Sequence, residues 1–295
     1  VSILVVFWNR MKKNCTSASS AGLSRIAFLI QNSILDTLLP LVEALELTNF
    51  KLKISNAQRG YNKITNHINP MQNIVVLTGA GISAESGINT FRDANGLWEG
   101  HDVMEVASPQ GWRNNPELVL DFYNKRRSQL HTVTPNKAHL DLVALEDKFN
   151  VSIITQNVDD LHERAGSNNV IHLHGELLKV RSQFDEQLVL DWKHDLILGD
   201  HCEHNSQLRP HIVWFGEAVP MMDLAIEITE QADILMIIGT SMQVYPAAGL
   251  LQYARHQTPV YFIDPNPAIS PTEHLSILSE KATTGVAKVV EELLG

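Results

Sequence analysis

From Asn73 onward, short apolar runs alternate with longer stretches of helical period. Ile74-Val75-Val76-Leu77 is unbroken by polar residues, as a strand covered on both faces requires. Val151–Thr155, Val170–Leu173, Ile212–Phe215, Ile234–Ile238 and Val260–Ile263 also read as strands, the last of these as the final core strand. Pro116–Leu130 predicts a helix with proline in its first turn. Its Val119, Tyr123, Arg126 and Leu130 fall on one face, at steps of four, three and four. Pro135–Phe149 predicts a second helix, packed through His139, Leu142 and Leu145, and Thr283–Leu294 predicts a closing one. Alternating strands and helices predict an α/β fold with a doubly wound parallel sheet.

The first apolar run breaks at Gly79-Ala80-Gly81, and Ser83, Glu85 and Ser86 then predict the polar start of a helix. A strand feeding a helix through a glycine turn gathers backbone N–H groups where a pyrophosphate can bind. The spacing is a variant of the Rossmann-like G-x-G-x-x-G, with the third glycine late, at Gly87; on spacing alone, a tight turn without a ligand stays open. Arg126 interrupts an apolar stripe, so it needs an anionic partner, whether a structural ion pair or a ligand, unless it snorkels to solvent. His174 stands at a strand end, where a histidine can take a proton near neutral pH. Among 13 histidines, His139 reads as packing or capping and His172 as structural. Asp160 reads as solvated.

Composition changes the picture in three places. Residues 1–70 carry 8 basic and 3 acidic residues, leaving 15 basic and 30 acidic in 71–295. That acidic body disfavours nucleic acid as a direct partner and suits basic, lysine-bearing polypeptides. Two cysteines, Cys15 and Cys202, cannot build a disulfide framework, so a reducing cytoplasm is expected, with no membrane span and a monomeric state. Residues 1–70, with an interrupted amphipathic stretch at 23–47, read as an N-terminal extension outside the fold, with a targeting peptide as the other reading. Met71 precedes the first core strand, and 71–295 is the expected catalytic domain.

The glycine turn belongs to a longer stretch, GAGISAESGINTFR (79–92). QNVDDLHERAG (156–166), HLHGEL (172–177), RPHIVWFGE (209–217) and GTSMQVYPAAGL (239–250) follow it. Together, in this order, they resemble the sirtuins, the NAD-dependent protein deacylases, in their class III-like bacterial form. The resemblance runs from about Met71 to the C-terminus. It implies that NAD is held by Gly79, Ala80, Gly81, Ser83, Phe91 and Arg92. It adds Gln156 and Asn157 at the nicotinamide ribose, Asp159 at the carboxamide, the turn Gly239-Thr240-Ser241, and Asp264 and Ala282 on the adenosine side. Relatives commonly carry Asn where Asp264 stands; a carboxylate can accept the same hydroxyl bonds. Gly96-Leu97-Trp98 resembles the loop that closes over the cofactor. His174 matches the general base. Val213, Phe215, Gly216 and Glu217 match the segment that pairs with substrate backbone. Tyr123 and Arg126 match the pair that receives the carboxylate of a succinyl- or malonyl-lysine, and Ala84 the small residue that widens that acyl pocket.

The family normally inserts a zinc module with two pairs of cysteines between residues 176 and 208. Here Ser182 and Asp185 stand where the first pair is expected, and Cys202 lies between His201 and His204. A four-thiolate site is excluded. A mixed site of Asp185, His201, Cys202 and His204 is possible in principle. The favoured reading is a module without metal, packed around Leu188, Leu190, Trp192, Leu196, Ile197 and Leu198, with 201–204 an exposed turn. The implied reaction removes succinyl, malonyl and acetyl groups from the lysines of acylated proteins or peptides, yielding nicotinamide and O-acyl-ADP-ribose. Protein mono-ADP-ribosyl transfer and a non-catalytic NAD-binding module are the alternatives.

Overall fold

The protein is described by a computed structural model over residues 71–89, 97–98 (backbone only), 100–267 and 269–295. The readings made of residues 1–70, Phe91 and Arg92 lie outside the described residues. The strands are β1 (Asn73–Thr78), β2 (Leu97–Trp98), β3 (His101–Asp102), β4 (Asn150–Thr155), β5 (Val170–His172) and β6 (Gly175–Ser182). They continue as β7 (Val189–Asp191), β8 (Leu208–Ile212), β9 (Ile234–Ile238), β10 (Val260–Ile263) and β11 (Leu275–Leu278). Six form one sheet in the order β11-β10-β9-β1-β4-β5, and every pairing within it is parallel.

The continuous apolar runs are explained by two filled faces. Ile74 and Val76 of β1 pack with Ile153, Met236 and Ile238 under the helices Lys137–Leu145 and Ala282–Leu294. Val75 and Leu77 point the other way, into Ile154, Leu235, Ile237 and Phe262, with Ala225 and Leu250. A third cluster joins the Pro116–Leu130 helix to the antiparallel sheet β7-β6-β8 through Val119, Tyr123, Leu177, Val180 and Trp214. No described helix is long and apolar enough to cross a membrane.

Several expectations are corrected. The glycine turn does not open a helix but two 3₁₀ pieces, Ala80–Ile82 and Ala84–Ser86, stopped by Gly87 at φ 99°. The strand expected at Ile212–Phe215 is instead Leu208–Ile212; beyond it, Val213 N–H donates to the His174 carbonyl and the chain turns through Gly216 at φ 90°. Val260–Ile263 is not the last strand, because Leu275–Leu278 pairs outside it. The second helix is shorter, Lys137–Leu145, since Asn136 caps it. Of the segment read as a cofactor loop, Leu97–Trp98 pairs with His101–Asp102, and Gly96 lies outside the described residues. In the inserted module Leu196 is buried and Leu188 and Trp192 pack partly, but Leu190, Ile197 and Leu198 are exposed. Cys202 is buried against Ser182 Oγ at 3.2 Å, while His201, Glu203 and His204 are exposed. Among the described residues, no group of three or more His, Cys, Asp or Glu is placed to share a metal.

His139 caps its helix: its Nδ1 accepts from Asn136 N–H at 3.3 Å. Its ring lies edge-on to that of His162, 4.9 Å away, and both are buried. Burial lowers the pKa of His139 to about 4 and also lowers that of His162. Both rings are neutral when folded, yet in the unfolded chain they take up protons below about pH 6.5. Stability present above that pH is therefore lost as pH falls towards the folded value. For His139 alone the expected loss is about 2 kcal/mol between about pH 7.5 and 5. Urea unfolding across that range checks this: His139→Asn should flatten the slope, and an unchanged slope would contradict the assignment.

Candidate active site

Parallel strands deliver their C-terminal ends to one edge, and ligands of open α/β sheets collect there. The turns after β1, β4, β9 and β10 line a cleft of about 1040 Å³. It takes in Gly79, Ala80, Gly81, Gln156, Asn157, Asp159, Gly239, Thr240, Ser241, Asp264 and Ala282 from the expected cofactor residues. Ala84, Tyr123, Arg126, His174, Val213, Phe215, Gly216 and Glu217 line the same cleft.

The glycines at its base serve backbone against backbone. Gly79 N–H donates to the Ile238 carbonyl at 3.0 Å and Gly81 N–H to that of Gly239 at 2.8 Å. These N–H groups are taken by the β9 turn, so the simple picture of a free nest at a helix start does not hold. Gly239 sits at φ +62°, and a Cβ there would lie 2.4 Å from Ile82 N. Gly239→Ala is expected to cost at least about 2 kcal/mol through positive φ and the clash. Denaturant unfolding and an NAD titration should both register it; wild-type values in both would refute the fit.

Ser83 is buried behind the cleft rather than lining it. Its Oγ donates to Asp159 Oδ2 at 3.0 Å and accepts from Asn157 Nδ2 at 3.2 Å. Burial pushes the Asp159 carboxyl above its ordinary range, against the hydrogen bonds from Leu161 N–H and Ser83. Asp264, 2% exposed, accepts from Asn266 N–H with Oδ1 at 2.8 Å. Asp160 is half-buried and lies 3.6 Å from Arg164, so it is not simply solvated.

His174 Nδ1 lies 3.0 Å from the Gln156 carbonyl. A carbonyl can only accept, so in the neutral ring Nδ1 carries the proton and Nε2 keeps its lone pair. Burial lowers its pKa, partly offset by that carbonyl. The glycine after it is required: at Gly175, φ is +83° and a Cβ would meet the His211 carbonyl at 2.0 Å. His172, beside it, is bound to the Asn157 carbonyl and to Glu163 Oε1 at 2.7 Å. Burial opposes its charge, but Glu163 outweighs burial and raises its pKa.

Tyr123 and Arg126 are both buried, on the face the sequence predicts. The Tyr123 hydroxyl accepts from Trp214 Nε1–H at 3.0 Å. Burial raises its pKa and keeps it protonated. The Arg126 guanidinium lies 5.5 Å from the centroid of the Phe122 ring. Glu217 is an ion-pair hub: Oε1 lies 2.7 Å from Arg209 Nη1, and Oε2 lies 3.2 Å from Arg181 Nη2 and accepts Trp214 N–H at 2.8 Å. Burial opposes its charge, but Arg209 above all draws its pKa down. Its carboxylate therefore holds the loop. Sequence reasoning missed Trp214, Val103, Gln243, Asn266 and Lys281, which also line the cleft. Of these, Trp214 lies in RPHIVWFGE, Gln243 in GTSMQVYPAAGL and Lys281 beside Ala282, all within or next to stretches already singled out.

A cleft of this size across strand ends, with glycine turns on two strands and a carboxylate ending a third, defines an α/β nucleotide-binding enzyme site. The model of the Sir2 family matches residues 79–246, and the chain belongs to that family. It is 65% identical over 195 residues to an NAD-dependent protein deacylase of Helicobacter pylori, covering 66% of this chain and 85% of the relative. It is 51% identical over 231 residues to one from Bacteroides thetaiotaomicron, covering 76% and 99%. Among solved structures, a Sir2 homologue in complex with NAD is 38% identical with a TM-score of 0.68, covering 79% of this chain and 93% of that one.

Proposed function

We propose that residues 71–295 form the catalytic domain of an NAD-dependent protein-lysine deacylase that accepts succinyl and malonyl groups as well as acetyl. The family and its named relatives support the deacylase activity. The observation that carries the acyl reading is that His174, Tyr123 and Arg126 line one cleft. NAD fits the site: Asp264 offers a buried acceptor for ribose hydroxyls, and the cleft has room for a dinucleotide.

When bound, NAD supplies the reactive bond, and the protein supplies position and a dry site. The turns at Gly79–Gly81 and Gly239–Ser241, with Asp264 and Ala282, hold the adenosine and phosphate side. Gln156, Asn157 and Asp159 hold the nicotinamide side, with Ser83 orienting Asn157 and Asp159; Phe91 and Arg92 are assigned from the resemblance alone. His174 Nε2 takes a hydroxyl proton. Val213, Phe215 and Gly216 offer backbone to an extended acyl-lysine peptide, and Ala84 leaves room beside the acyl chain. The scarcity of cysteine supports a reducing cytoplasm as the compartment; the expected state is a monomer without nucleic acid.

The test is product identity: an acylated peptide with NAD should yield nicotinamide and O-acyl-ADP-ribose in equal amounts. ADP-ribose attached to protein would indicate ADP-ribosyl transfer, and NAD binding without turnover would indicate a binding module.

A further inference from the structure

Trp214 lines two cavities, the large cleft and a second of about 220 Å³. The smaller one is walled by Trp112, Arg113, Arg181, Glu186 and Arg209 as well. Arg181 and Arg209 are 6% and 8% exposed, and both are bound to the single carboxylate of Glu217. Two buried guanidiniums thus share one anion, which leaves positive charge uncompensated where compensation is normally required. The Nε–H groups of both arginines are buried and have no acceptor among the described residues. Arg209 is held below the ordinary guanidinium range by burial, and the like charge of Arg181 adds to this. Arg113 stands exposed at the rim, with one Nη donating to Gln110.

We infer that this cavity binds a small oxyanion, of phosphate or dicarboxylate size, between Arg113, Arg181 and Arg209. Guanidinium forks suit such an anion geometrically, and three of them line this cavity. Exposed Glu186 opposes it from the rim and limits its affinity. Arg209 lies with Cζ 3.4 Å from the centroid of the Trp214 ring, and that indole donates to Tyr123. An anion drawing on Arg209 therefore acts on the side chain that seats Trp214, so indole fluorescence reports it.

The full chain, with its large cleft first saturated by ADP-ribose, is titrated at constant ionic strength with inorganic phosphate and, separately, with malonate. Fluorescence and calorimetry should show saturable binding of one equivalent of at least one of them, and the stronger arm identifies the anion type. Arg113→Ala, at an exposed position that leaves the buried network intact, should weaken it about tenfold, as loss of a charge-assisted contact does. Glu186→Gln should tighten it. No saturable binding of either anion, or binding that Arg113→Ala leaves unchanged, overturns the site.

Discussion

His174→Ala is expected to lower NAD-dependent deacylation by about 10²–10⁴-fold, the usual contribution of a positioned general base, while NAD affinity stays within several-fold. The Gln156 carbonyl, 3.0 Å from Nδ1, fixes the tautomer that leaves Nε2 basic. Burial draws the pKa down, so the ring is neutral at physiological pH and no proton must first be lost. The acid limb of the kcat/KM profile should therefore lie below about pH 6.5, the unperturbed histidine value. Comparing turnover and NAD binding in the same variant separates a lost base from a lost site. Unchanged turnover would remove His174 from the mechanism, and a collapse of NAD binding would make it a structural residue.

Arg126→Met should lower kcat/KM for a succinyl-lysine peptide by about 10–100-fold, the cost of a charge-assisted hydrogen bond, and leave acetyl-lysine within several-fold. Methionine keeps much of the buried volume, so the change reads charge rather than packing. Arg126 lines the cleft one helical turn from Tyr123. The Tyr123 hydroxyl is seated by Trp214 and kept protonated by burial. A carboxylate there would meet a cation and a hydroxyl together. Equal losses on both peptides would make Arg126 a structural cation.

Much of this was legible in the sequence. The strands β1, β4, β9 and β10 are apolar on both faces and bounded by turn residues, so their runs had few other uses. The Pro116–Leu130 helix announced both its start and its buried face, and His139 read as packing or capping and does both. The errors cluster where tertiary contacts override local pattern. Ser83, Glu85 and Ser86 look like a helix start, yet the β1 turn is clamped against Gly239 and continues as 3₁₀ turns. Val213-Trp214-Phe215 continues an apolar run, but Trp214 N–H and its indole are claimed by Glu217 and Tyr123, so the chain leaves the sheet. The Glu217 hub draws on Arg181 and Arg209, which sit on two paired strands, and no spacing rule links them. Cys202 sits between exposed residues in the chain, and only the fold turns it towards Ser182.

The most direct test of the central claim is NAD-dependent release of lysine from paired acetyl- and succinyl-lysine peptides by the full chain. The account predicts turnover of both, with the higher kcat/KM on the succinyl peptide. Activity on the acetyl peptide alone would contradict the acyl assignment of Tyr123 and Arg126. No activity on either, with NAD still bound, would contradict the deacylase reading itself.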